Sequence, residues 1–143
     1  MRTVVDRATI DAATLLEEVA RSGNGATVLF TGSVRDLNEG RAVTGIDYDA
    51  YEAMAGEELQ RIVAEVAARY ETTDIVAVHR IGYVPVGALS VAVAVAHPRR
   101  AGAFDAARSV IEAIKRRLPI WKCEHYANGE HAWQDARVAG ARP

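Results

Sequence analysis

Apolar positions along this chain switch between the two-residue period of strands and the three-to-four-residue period of helices. Thr3 to Val5 predicts a short strand, and Leu15, Leu16 and Val19 beside Glu17 and Glu18 predict a brief helix stopping before Gly23-Asn24-Gly25. Ala26 to Gly32, rich in β-branched and aromatic residues, predicts the first full strand. Asp36 to Gly40 has a loop composition. Beyond it Val43 to Tyr51 alternates, with Ile46 and Tyr48 facing one way and Asp47 and Asp49 the other. Leu59, Ile62, Val63, Val66 and Tyr70 recur at helical spacing and predict a helix over Ala53 to Arg69.

Ile75 to Ile81 again predicts a strand, followed by a turn over Gly82 to Gly87 around Pro85. Val91, Val93 and Val95 alternate with Ala92, Ala94 and Ala96, so this strand is apolar on both faces and small on one. That pattern places it centrally in a sheet, with room for a helix to pack closely. Phe104, Ala107, Ile111, Ile114 and Leu118 give the apolar stripe of a further long helix, ended by Pro119. Ile120 to Tyr126 alternates as a strand, and Asn128-Gly129 signals a hairpin returning toward Trp133. The expected architecture is α+β, a mostly antiparallel sheet with two long helices on one face. A single domain over residues 1–136 with a tail over 137–143 is expected, because 143 residues match one core and no linker or repeat interrupts them.

Composition narrows the partners. With 17 Lys+Arg against 19 Asp+Glu, the net charge of −2 lacks the surplus that drives binding to nucleic acid or anionic membranes. The longest near-apolar run, Val84 to Ala96, is too short to span a bilayer. One cysteine forms neither an internal disulfide nor a thiolate metal cluster, and no secretory signal is readable, so a cytoplasmic location is expected. His79, His97, His125 and His131 show no ligand spacing, and no dinucleotide, phosphate-loop or nucleophile-elbow motif occurs, so neither metal nor cofactor is expected.

The charge is nevertheless uneven. Arg99, Arg100, Arg108, Lys115, Arg116, Arg117 and Lys122 fall in one segment, opposed only by Asp105 and Glu112. Arg108 and Lys115 share one line beside the apolar stripe of the helix, so Lys115 can lay its stem on the core and its amine in a cleft. A solvated basic face is the competing reading. Lys115 and Lys122 are the only lysines among 17 basic residues. This matters because an amine crowded by cations can lose its proton and a guanidinium does not. Arg35, opening the loop after the first full strand, is placed to overhang a ligand. Cys123 is read either as a small core residue or as a persulfide-carrying nucleophile. A non-catalytic anion-binding or assembly domain is a further alternative.

Phe30-Thr-Gly-Ser-Val-Arg35, Tyr51 with Met54-Ala55, His79-Arg-Ile-Gly82, Ala103-Phe104, Lys115, Pro119-Ile-Trp-Lys122 with Glu124, Gly129 and Trp133 follow in order and spacing a known pattern. Over about residues 26 to 137 the chain resembles the large, catalytic subunit of molybdopterin synthase. That resemblance implies an α/β-hammerhead-type α+β fold and a central homodimer. A ubiquitin-like small subunit would dock at each end, threading a thiocarboxylated Gly-Gly tail into the pocket. Sulfur would pass twice to cyclic pyranopterin monophosphate, forming the dithiolene of molybdopterin. Lys115 and Lys122 match the family's two essential lysines, Arg35 and Arg100 its pocket arginines, and Arg137 an arginine lent across the dimer. Glu124 completes a Lys-x-Glu element. Two positions depart from the pattern: Arg99 replaces the usual histidine, the nearest being His97, and Cys123 replaces a basic residue. The roles implied are phosphate and pterin binding by Arg35, Arg100 and Arg99, orientation of the thiocarboxylate by Lys115, and proton transfer by Lys122.

Overall fold

A computed structural model describes residues 1–135. In chain order its elements are β1 (Arg2–Asp6), α1 (Ala12–Val19), β2 (Ala26–Ser33), β3 (Leu37–Asn38), β4 (Arg41–Ala50) and α2 (Glu52–Tyr70). They continue with β5 (Ile75–Arg80), β6 (Gly82–Pro85), β7 (Leu89–His97), α3 (Arg100–Arg117), β8 (Ile120–Tyr126) and β9 (His131–Asp135). Two sheets form, ordered β1-β5-β7-β2 and β3-β4-β8-β9, with β6 also paired to β4. Among the described residues every pairing is antiparallel except β1 with β5. The fold is thus the expected mostly antiparallel α+β arrangement with two long helices, divided over two sheets.

The two faces of β7 explain how the layers stack. Val91, Val93 and Val95 join α2, α3 and the inner face of the second sheet in the main core. Ala92, Ala94 and Ala96 form a separate cluster with Leu15 and Val19 of α1. The short helix therefore covers the small face, and the two long helices lie together on the other, as expected. Alanine lets α1 approach closely, and Asp11 starts it by accepting from the Ala13 amide at 3.1 Å.

Two further expectations change. The segment Gly82 to Gly87 contains strand β6, registered from Tyr48↔Gly82 to Gly45↔Pro85. The Tyr83 side chain lies over Gly45, where a Cβ would come within 2.2 Å of its hydroxyl, so any larger residue would push the tyrosine aside. The turn is left to the residues around Gly87, whose φ is +85°. On α3 the buried stripe is Ala103, Ala106, Ala107, Val110, Ala113 and Ile114. Phe104 stands 61% exposed, because alanines rather than the phenylalanine face the sheet. Leu118, preceding Pro119, takes an extended conformation at the helix end and turns the chain into β8.

Candidate functional site

Where α3 ends and β8 begins, a pocket of about 180 Å³ opens between the two sheets. Gly32 to Arg35 leave β2 through a register shift at Gly32/Ser33 and form one wall. Asn38 of β3, Val43, Ile46 and Tyr48 of β4, and Ser90 of β7 form the others. Lys115 of α3 and Lys122 and Glu124 of β8 complete the lining. The helix ends only a few residues before the strand starts, so both lysines reach one cavity.

Alternation sets the inner face of β8. Lys122 stands opposite Tyr48, and Glu124 opposite Ile46. Glu124 is 2% exposed, and its carboxylate is fully engaged. The Asn38 side-chain amide donates to both oxygens, at 2.9 and 3.0 Å, and the Tyr126 hydroxyl donates at 3.1 Å. The Lys122 amine lies 3.8 Å from the same carboxylate, beyond a tight hydrogen bond.

The Lys115 side chain stays open to solvent at the rim. Crowding of its amine by the pocket walls nevertheless lowers its pKa, and the Lys122 charge adds to that shift. Behind it, burial pushes the pKa of His79 down to about 4, the Arg80 hydrogen bond opposing the shift and the Lys115 charge contributing to it. This imidazole is therefore neutral at pH 7, with Nδ1 bonded to the Arg80 carbonyl at 2.8 Å and its ring edge-on to Tyr48. Burial raises the pKa of the Tyr48 phenol, a hydrogen bond with Ser90 partly opposing the shift. Ser90 in turn donates to the Gly32 carbonyl at 3.2 Å.

Of the expected site residues, Arg35, Lys115, Lys122 and Glu124 come together. Arg99 caps α3 and Arg100 begins it. At ~1.5 Å per residue, the 15 positions from Arg100 to Lys115 place them about 22 Å apart, at opposite ends of the helix. Neither arginine lines the pocket. Arg137 lies outside the described residues. His97 is bound beneath the start of α3: Nδ1 accepts from the Arg99 amide at 2.9 Å and Nε2 donates to the Tyr70 carbonyl at 3.0 Å. Its ring occupies the space where a side chain on Gly102 would begin. Cys123 is buried on the opposite face of β8, and burial together with the Asp47 charge raises its thiol pKa. That disfavours the thiolate a persulfide carrier needs. Among the described residues no three metal-ligand side chains converge, and no helix is long and apolar enough to cross a membrane.

Asn38, Tyr48 and Ser90 are pocket residues that the sequence reading did not single out as chemical. The alternation of β4 puts Tyr48 inward but carries no sign that Lys122 stands opposite. Asn38 and Glu124 are 86 positions apart, so no local pattern connects them.

Comparison with known proteins gives a consistent result. The family model described as MoaE protein matches residues 5–117. A molybdopterin synthase catalytic subunit from Culex quinquefasciatus is 40% identical over 124 residues, covering 85% of this chain and 78% of the relative. Among solved structures, molybdopterin synthase from Staphylococcus aureus matches with a TM-score of 0.85 at 33% identity, over 91% of this chain and 94% of that one. A protein–protein complex of subunits 1 and 2 of molybdopterin-converting factor from Helicobacter pylori shares the fold, with a TM-score of 0.73 at 23% identity, over 92% of this chain and 88% of that one.

Proposed function

The chain belongs to the MoaE protein family, an enzyme family of molybdopterin biosynthesis, and from that premise we propose that its pocket transfers sulfur to a phosphorylated pterin. The donor is the thiocarboxylated C-terminus of a ubiquitin-like small subunit and the acceptor is cyclic pyranopterin monophosphate. The observation that carries this reading is the convergence of two amines, Lys115 and Lys122, with Arg35 on one cavity.

The lowered proton affinity of Lys115 supports exchanging the two lysine roles expected from the sequence. Lys115, whose amine binds its proton less tightly than usual, is the proton-transfer group. Lys122 is the fixed cation that receives the thiocarboxylate, and Arg35, which forms no ion pair with a described residue, binds phosphate. Arg99 and Arg100 are remote from their own pocket, so their role in phosphate and pterin binding requires a second copy of the chain. Exposed Phe30 and Phe104, on open edge strand β2 and on α3, offer that copy an apolar surface. Arg137 is the third arginine assigned to this homodimer. The reaction belongs in the cytoplasm in this reading.

The direct test is incubation with thiocarboxylated small subunit and the cyclic pterin, followed by mass spectrometry for the dithiolene product. Product formation that survives Cys123→Ser and is lost in Lys115→Ala supports the reading. Binding of both partners without turnover overturns it in favour of a non-catalytic anion-binding domain.

A further inference from the structure

The buried Glu124 carboxylate sits beside the cation that the proposed transfer needs free. An uncommitted carboxylate at that position would close on Lys122 and neutralise it, because opposite charges in a partly desolvated pocket attract strongly. The two separate only to 3.8 Å, which leaves the Lys122 amine directed by the carboxylate without being captured by it. Asn38 maintains that separation. Its amide donates to both oxygens of Glu124, while Tyr126 supplies a third hydrogen bond.

Asn38 also lies on a separate piece of chain. It belongs to the two-residue strand β3, which pairs with β4 through Asn38↔Arg41 around a turn at Glu39 and Gly40, both with positive φ. This strand begins two residues after Arg35. A side-chain bond from Asn38 to the middle of β8 therefore ties the loop carrying Arg35 to the strand carrying Lys122, with the pocket between them.

We propose that Asn38 is a positioning residue of the sulfur-transfer site: by holding both Glu124 oxygens it keeps Lys122 available to the thiocarboxylate and fixes the Arg35 loop. The inference rests on the sulfur-transfer reading given above. The charged and titratable groups around this contact are Lys122 and Tyr126 on β8, Lys115 on α3, Tyr48 and Arg41 on β4, Glu39 in the β3–β4 turn and Arg35 after β2, with the Arg41 guanidinium lying over the Tyr126 ring.

The test compares Asn38→Ala, Asn38→Asp, Glu124→Gln and the double variant Asn38→Ala/Glu124→Gln in single-turnover sulfur transfer. Asn38→Ala is expected to slow transfer between about 10- and 100-fold. The double variant is expected to fall within about twofold of Glu124→Gln, since Asn38 acts through that carboxylate. Asn38→Asp keeps the shape but presents like charge to Glu124. Its rate is therefore expected to fall at least as far as that of Asn38→Ala. Full activity of Asn38→Asp, or additive losses in the double variant, would each overturn the proposal. Coupling between Asn38 and Glu124 is read separately by chemical denaturation of the same four variants. If the unmodified protein transfers no sulfur but that coupling is present, the functional reading fails and the Asn38 contact stands. Absence of coupling removes the contact itself.

Discussion

Lys115 and Arg117 stand two residues apart at the end of α3 and meet opposite fates. Two steps of about 100° turn them to different sides of the helix. Arg117 reaches across to α2, where Glu58 lies at 2.7 Å and Glu65 at 2.6 Å, and these carboxylates hold its guanidinium pKa above the ordinary value. Lys115 faces the pocket, where burial lowers its pKa and the Lys122 charge adds to the shift. One basic run is thus divided by helix geometry into a paired structural half and an unpaired chemical half. The cation with no ion pair to a described residue, Lys115, is where chemistry is to be sought.

The strongest way to break this contrast is to substitute the pocket lysines. Lys115→Ala should reduce single-turnover transfer by about 10²- to 10⁴-fold, the range of a lost general acid or base. Folding stability should change by no more than about 0.5 kcal/mol, because the residue makes no ion pair with a described residue and its side chain is open at the rim. Lys115→Arg should be nearly as inactive, since guanidinium retains its proton, whereas Lys122→Arg should keep part of the rate by preserving charge. Mass-spectrometric product yield checks all three. Full transfer by Lys115→Arg would return the proton-transfer role to Lys122.

A slightly smaller effect is expected beneath the pocket. His79 has a folded-state pKa of about 4 against an ordinary value of 6.5, so the unfolded chain binds its proton first as pH falls. The stabilisation is fully present above pH 6.5 and is lost progressively between 6.5 and 4, amounting to about 3 kcal/mol. Urea denaturation at pH 7 and pH 4.5 should show this loss in the unmodified protein and a smaller loss in His79→Gln. An equal loss in both would assign the acid sensitivity to other groups.

The sequence reveals the lysines more readily than it reveals their setting. Seven-residue spacing places Lys115 beside the core without any tertiary information, and alternation separates Lys122 from Cys123. The same reasoning misplaced Phe104, because in an alanine-rich helix several faces are apolar and only packing decides which one is buried. The predicted helix already separates Arg100 from Lys115, but no local pattern shows that folding brings Asn38 to Glu124. Strand β6 was hidden for a related reason: Gly82 and Pro85 read as a turn until Gly45 on another strand makes space for Tyr83.

Cys123 tests the division across a single strand. It lies on the outer side of β8, opposite Asp47 on one neighbour and Trp133 on the other. Cys123→Ala should cost about 1 kcal/mol, comparable to deleting one buried methylene-sized group, and leave the transfer rate unchanged. Thermal unfolding beside a product assay separates the two quantities. A dead but folded variant would restore the persulfide mechanism.

The smallest effect is expected where the charges look most numerous. Arg117, Glu58, Glu65 and Arg61 form a connected set of ion pairs on the α2–α3 surface. Arg61 and Glu65 are both more than half exposed, so water and salt compete for every contact and side-chain ordering offsets much of the attraction. Arg117→Ala should therefore lower stability by only about 1 kcal/mol, shrinking further in 1 M salt, with no change in sulfur transfer. A double-mutant cycle with Glu58→Ala measures the pair, and Glu58 is the more informative partner because its side chain is only 18% exposed. If the coupling were several kcal/mol and insensitive to salt, the α2–α3 surface would be holding the helix end, and with it Lys115, in place. The two sides of α3 would then act as one device rather than two.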